Sequence, residues 1–310
     1  MSTTLAPSWR GALDALPDTP DKIPAFFFAH GSPMLSWMKA TSGDPNSSYL
    51  GEGGVLYQFL SDFGPTLLKK YQPKGIVVFS AHWETEDARL VTDYGDENPL
   101  LYDYYGFPKP LYDLQFKSRG DTSLAQRVVD LYTKAGHKSR LSPATETRGS
   151  DGRGFEGPGL DHGVFIPFRV MFGEVFTEIP IVEVSIDASL DPEKNWQIGK
   201  AVAQLREEGI LVLSGGLIAH NLRERDCFTP TTASELHKSF DRAVHEAIQV
   251  KDAAERKKAL VALPNHHGFR SMHPRADHFV PIYVAAGAGE GGNVLTLGDM
   301  YGIPTFAFGV

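Results

Sequence analysis

The chain has 310 residues, 42% of them hydrophobic and 22% charged, with a formal net charge of −8. That size suits one large domain or two small ones, the acidic balance weighs against a nucleic-acid binder, and no stretch approaches the roughly 18 apolar residues of a membrane span. A single cysteine, Cys227, excludes an internal disulfide and suits a reducing compartment; residues 1–21 lack the layout of a signal peptide, so the expected location is the cytoplasm.

In chain order, residues 1–22 read as a loosely held arm and residues 23–310 as one domain. Pro24 to Ala29 is a short apolar run that ends at His30, where Gly31, Ser32 and Pro33 turn the chain. A loop rich in Gly, Ser, Asn and Pro continues to Gly54 and is expected to lie over a site. Val55 to Tyr71 has helical spacing, with Leu56, Phe59, Leu60, Phe63, Leu67 and Leu68 as its apolar positions. Gly75 to Ala81 repeats the first design and ends at His82, and Ala88 to Thr92 is a third strand. Leu100 to Tyr112 is too aromatic and too broken by Gly and Pro for regular structure; it reads as the lining of a pocket for a flat ligand, or as an aromatic-anchored surface loop.

Ser123 to Ala135 is a predicted helix, and Ser142 to Gly159 a predicted loop. Asp161 stands where it can cap a helix that begins beside His162. Ile179 to Ile186 is a strand, Pro192 to Glu208 a helix stopped by Gly209, and Ile210 to Ser214 a strand that runs through a glycine turn to His220. Ser234 to Leu263 is helical, and Asn265 to Arg275 is a polar loop with His266, His267 and His273. Asp277 to Gly287 opens an apolar helix after His278, and Val294 to Leu297 and Thr305 to Phe308 add edge strands.

Uninterrupted apolar runs bounded by turn residues are the mark of strands buried on both faces. The expected fold is therefore α/β: a single domain with a central, largely parallel or mixed sheet flanked by helices. Such sheets bind ligands beyond the carboxyl ends of their strands. His30, His82, His162, His220 and His278 all sit at element ends beside small residues, and neutral imidazole is a ready ligand for divalent metals. Spacing alone does not select the metal. No Gly-x-Ser-x-Gly elbow surrounds Ser32, and Cys227 has no CxxC partner.

Several short pieces occur together in order: His30-Gly-Ser-Pro-Met34, Ser80-Ala-His82-Trp83, Tyr105-Gly-Phe-Pro108 with Leu111-Tyr112, Leu160-Asp-His162-Gly163, Ser214-Gly-Gly with His220-Asn-Leu222, and His273-Pro with Asp277-His-Phe-Val-Pro281. In this the chain resembles the class III extradiol ring-cleavage dioxygenases, and within them the DOPA 4,5-dioxygenase-like branch. The resemblance implies that His30, His82 and His278 hold a divalent metal, with Fe(II) for activity and Zn(II) as a possible bound species. It further implies that His220 is a second-sphere acid/base or a further metal ligand, that His162 bonds the substrate's oxygens, and that a catechol and O₂ are the small-molecule partners. The product would be a ring-opened semialdehyde. Asp277, where relatives often carry Glu, is expected to face away from the metal. Trp83, Tyr105, Phe107, Ser32 and His273 are the candidates for the substrate pocket. Two other readings stand beside this one: a zinc hydrolase using the same ligands with His220 as base, and a non-catalytic binding protein of the same fold.

Overall fold

Every central strand carries apolar residues on both faces, so the sheet has to be covered on both sides. The computed structural model, which describes residues 8–37, 45–148 and 157–310, shows how. In β1 (Ala25–Ala29), Phe26 and Phe28 enter one hydrophobic cluster, while Ala25 and Phe27 enter the other. In β2 (Gly75–Thr85), Ile76 and Val78 share the first cluster, Val77 and Phe79 the second. Each such phenylalanine, wholly withdrawn from water, contributes on the order of 1.5–3 kcal/mol.

The remaining strands are β3 (Arg89–Asp93), β4 (Lys117–Ser118), β5 (Ser139–Pro143), β6 (Val175–Phe176), β7 (Ile181–Asp187), β8 (Ile210–Gly216), β9 (Val294–Gly298) and β10 (Thr305–Phe308). β4 and β6 form a small pair of their own; the other eight make one sheet in the order β5-β3-β7-β2-β8-β1-β10-β9. β7, β2, β8 and β1 run parallel, and antiparallel pairings on either side, β3 with β7 and β10 with β1, make the sheet mixed. This is the single-domain α/β architecture expected; of the two C-terminal strands expected at an edge, β9 is the edge and β10 lies between it and β1.

One layer of helices contains α1 (Ser8–Asp14), α3 (Val55–Tyr71) and α5 (His162–Phe172). The opposite layer contains α4 (Thr122–Lys134), α6 (Pro192–Ala201), α7 (Glu235–Gln249), α8 (Ala253–Ala262) and α10 (Pro281–Ala288). Two short helices, α2 (Pro45–Leu50) and α9 (Phe269–Met272), complete the set. No helix among the described residues is long and apolar enough to cross a membrane.

Four local expectations are corrected. The described part of the N-terminal arm is not loose: α1 buries Leu13, and Leu16 accompanies it into the core. Pro192 to Glu208 is not one helix, because α6 ends at Ala201 and a 3₁₀ segment, Ala203–Glu208, leads to Gly209 at φ +80°. β5 forms largely between the predicted helix and the loop expected from Ser142, overlapping that loop only at Ser142 and Pro143; it is an edge strand of mostly polar residues, so no apolar run announces it. Finally, His82 does not come after the end of β2 but lies within it. Between Phe79 and Glu84 the chain takes five steps along β2 against two along β7 (Val184 to Ile186), so residues 80–83 bow out of the β7 ladder, although Ser80 still pairs with Gly215 of β8. Residues 1–7 of the expected arm, 38–44 of the loop expected over the site and 149–156 of the loop after Ser142 lie outside the described residues.

Candidate metal centre

β1 and β2 both pair in parallel with β8, which brings three carboxyl ends side by side. His30 comes directly after β1, its N–H bonded to the Gly216 carbonyl at 3.2 Å, and Gly31 turns the chain away at φ +73°. The bowed segment of β2 presents His82. Beyond β8, Leu217 N–H donates to the His278 carbonyl at 2.8 Å, tying the stretch before α10 to the sheet. Gly216 makes this approach possible, since a Cβ there would lie 2.4 Å from the His278 oxygen.

Donor atoms of His30, His82 and His278 all lie within 4.8 Å of one another, and all three residues are buried. The His30–His82 and His82–His278 ring centroids are each 4.9 Å apart, and those of His30 and His278 are 5.2 Å apart. Burial first, then the neighbouring imidazoles, lowers the His30 pKa well below its ordinary value, so the ring is neutral. Neither of its ring nitrogens has a hydrogen-bond partner. Leaving such atoms unpaired in the interior is costly, and a bound cation removes that cost.

The other two rings point to the same conclusion. His82 turns Nδ1 to Asp103 Oδ2 (3.2 Å) and Asp161 Oδ1 (3.4 Å), and His278 turns Nδ1 to Asp277 Oδ1 (3.3 Å). Carboxylates only accept, so their nearness favours the proton on Nδ1 in both rings. In that tautomer the two Nε2 atoms, 3.0 Å apart, oppose their lone pairs. Lone pairs so placed repel unless a cation lies between them. Imidazole with a carboxylate behind it is the usual dress of a metal-binding histidine. The residues therefore fit a divalent metal.

Two further histidines flank the three. His162 opens α5, where Asp161 caps the helix by accepting from Gly163 N–H at 2.9 Å, as expected. Its ring lies 4.1 Å from that of His82. Its Nδ1 and backbone N–H both meet Asp103 Oδ1, at 2.7 and 2.8 Å. His220, half-buried, lies flat on His278 with ring centroids 3.4 Å apart and planes inclined by 9°. Burial, then His278, holds its pKa well below the ordinary value against the opposing pull of Asp277. Asp277, expected to face away from the metal, backs His278 at Nδ1 and lies 3.3 Å from Arg275 Nη1. Arg275 also grips Glu84 with both arms, clasping β2 to the His278 loop.

Behind this group lies a buried network that no sequence motif announces. Arg148 bonds Glu183 of β7 at 2.5 and 3.2 Å, Asp161 at 2.8 Å and the Gly159 carbonyl at 2.6 Å. Burial raises the Asp161 pKa, yet Arg148 and His82 outweigh it and hold the carboxyl below its usual range. Burial, helped by Asp161, pushes Glu183 well above that range in spite of Arg148.

The pocket candidates are dispersed. Trp83 is fully buried, its indole 4.3 Å from the Arg148 guanidinium and its Nε1 donating to the Arg148 carbonyl at 2.6 Å. His273 is also fully buried; Nε2 meets the Ile218 carbonyl at 2.8 Å, Phe240, Phe269 and Phe279 surround the ring, and burial pushes its pKa down to about 3. Ser32 accepts from Met34 N–H and caps a 3₁₀ turn, Pro33–Ser36. Tyr105 is 79% exposed. Its neighbour Tyr104 is the residue that packs on His162, edge to face at 5.4 Å, with Phe107 against its other side.

This geometry agrees with what comparison with known proteins finds. The family model described as the catalytic LigB subunit of aromatic ring-opening dioxygenase matches residues 24–310. The chain belongs to this family. It is 38% identical over 310 residues to a 4,5-DOPA dioxygenase extradiol-like protein of Schizosaccharomyces pombe, covering all of this chain and 99% of the relative. It is 30% identical to the 4,5-DOPA dioxygenase extradiol of Beta vulgaris, with 85% of each chain covered. A crystal structure of an uncharacterized Escherichia coli K12 protein superposes with a TM-score of 0.63 at 23% identity, over 93% of this chain and all of that one, which shows the fold. For a member of a ring-opening dioxygenase family, a buried His30 without a hydrogen-bond partner is the expected anomaly.

Proposed function

We propose that the protein is a metal-dependent extradiol dioxygenase that opens the ring of a side-chain-bearing catechol with O₂, yielding a semialdehyde. The observation that carries this is the convergence of His30, His82 and His278 in a buried group whose donor atoms all lie within 4.8 Å of one another. Those three residues hold the metal, with iron(II) as the working ion. Zinc binds such nitrogen sites more tightly than iron(II) and is a plausible contaminant of purified protein. A reducing cytoplasm suits both iron(II) and the single cysteine. The names of the relatives favour a DOPA-like substrate.

The ion supplies the centre at which catecholate and O₂ meet and exchange electrons. The protein's own groups do the rest. His220, neutral and half-buried beside His278, takes a hydroxyl proton from the catechol and later returns it, the work of a general base and acid. His162 has Nδ1 committed to Asp103, and its Nε2 is the atom assigned to bond a substrate oxygen. Tyr104 and Phe107 set the apolar wall on that side.

The test is oxygen uptake by iron(II)-reconstituted, anaerobically handled protein offered DOPA, caffeate, protocatechuate and catechol. Uptake with a new yellow chromophore for a side-chain-bearing catechol is the expected result. No uptake with any of them, despite bound iron, would move the assignment to a hydrolase or a binding protein.

A further inference from the structure

We propose that Asp103 is a positioning residue that locks the metal-facing histidine and the substrate-facing histidine into one geometry. The inference rests on the roles given above to His82 and His162. Asp103 comes from the aromatic segment between Leu100 and Tyr112, and only 1% of it is exposed. Its Oδ1 accepts from the His162 ring and backbone, at 2.7 and 2.8 Å, while Oδ2 lies 3.2 Å from His82 Nδ1. One carboxylate thus serves two imidazoles whose centroids are 4.1 Å apart.

The neighbouring carboxylate, Asp161, is worse placed for the task. It lies 3.4 Å from His82 Nδ1, and its Oδ1 already accepts from Ser80 Oγ at 2.8 Å and from Gly163 N–H at 2.9 Å. Asp103 therefore fixes the Nδ1–H tautomer of both rings and leaves both Nε2 lone pairs turned away from it. The next residue in the chain fixes the position of Asp103 itself. Tyr104 anchors its hydroxyl on the Leu111 carbonyl and lays its ring against His162. The aromatic segment thus acts on the site as a brace, as well as bordering it.

Substitution by asparagine separates positioning from simple structural support. In Asp103→Asn the amide oxygen satisfies both His162 donors, which fixes the side chain's orientation and points its NH₂ at His82 Nδ1. His82 then has to move its proton to Nε2, the nitrogen turned toward His278. A merely structural Asp103 would survive this isosteric change.

The experiment measures Zn²⁺ affinity of metal-free wild type and Asp103→Asn by competition with a chromophoric chelator, alongside the Tm of both metal-free proteins. The expected result is a loss of about 10–100-fold in affinity, the usual consequence of losing a metal ligand's carboxylate partner, with little change in Tm. Equal affinity in the two proteins would overturn the proposal. A wild type that binds no Zn²⁺ would instead bring down the reading of the three histidines. Should the variant not fold, ¹⁵N-histidine spectra of the metal-free wild type decide: Nδ1–H on both His82 and His162 supports the proposal, and Nε2–H on either overturns it.

Discussion

Two buried polar regions lie within a few ångströms of each other, and they are built on opposite principles. In the network of Arg148, Asp161 and Glu183, hydrogen bonds and ion pairs join every charged group to a partner. In the group of His30, His82 and His278, one ring has no hydrogen-bond partner and two others oppose their lone pairs at 3.0 Å. The first arrangement is complete as it stands and so serves architecture. The second gathers several imidazole nitrogens in one buried place where a cation would satisfy them together, and such a gathering is the signature of a binding site.

That contrast breaks most sharply at the ligands. His30→Ala or His82→Ala is expected to abolish metal retention, read as metal per chain after gel filtration, while in His30→Ala the Tm of the metal-free protein hardly falls. Removing the His30 ring, which has no hydrogen-bond partner among the described residues, sacrifices little. A large fall in metal-free Tm would show that these histidines are structural. His220→Ala keeps the metal and lowers turnover by about 10²–10⁴-fold, the range of a lost general acid/base. Normal activity in that variant would show that the proton passes elsewhere.

The satisfied network should respond in the reverse way. Arg148→Met leaves two carboxylates buried without their cation, at a cost of about 3–5 kcal/mol in denaturant unfolding. Adding Glu183→Gln should recover part of it, since one of the stranded groups is removed. Trp83→Phe, which orphans the buried Arg148 carbonyl, is expected to cost about 1–3 kcal/mol without altering KM. A raised KM would restore Trp83 to the substrate pocket.

What the sequence disclosed and what it concealed divide along the same line. His30 is legible because its signal is local: an apolar run, a histidine, then a turn. The parallel core of the sheet is legible for the same reason. Arg148, Glu183 and Asp103 were missed because a lone charge in a loop or strand gives no sign of the distant partner it will meet. Arg148 finds Glu183 across 35 residues, and Asp103 finds His162 across 59. Neighbours in sequence also part in space. His82 meets the other histidines, while Trp83 beside it packs on Arg148. Tyr104 packs on His162, while Tyr105 is 79% exposed. His273, a pocket candidate through the His273-Pro piece of the resemblance, has its ring among phenylalanines.

The most direct test of the central claim is isotopic. Iron(II)-loaded protein would be given the catechol that ranks first in oxygen uptake, under ¹⁸O₂, and the product weighed by mass spectrometry. The account predicts one O₂ consumed per catechol and both labelled atoms in a ring-opened product, allowing for exchange of the aldehyde oxygen with water. Product formed without O₂, or carrying oxygen only from water, would contradict it.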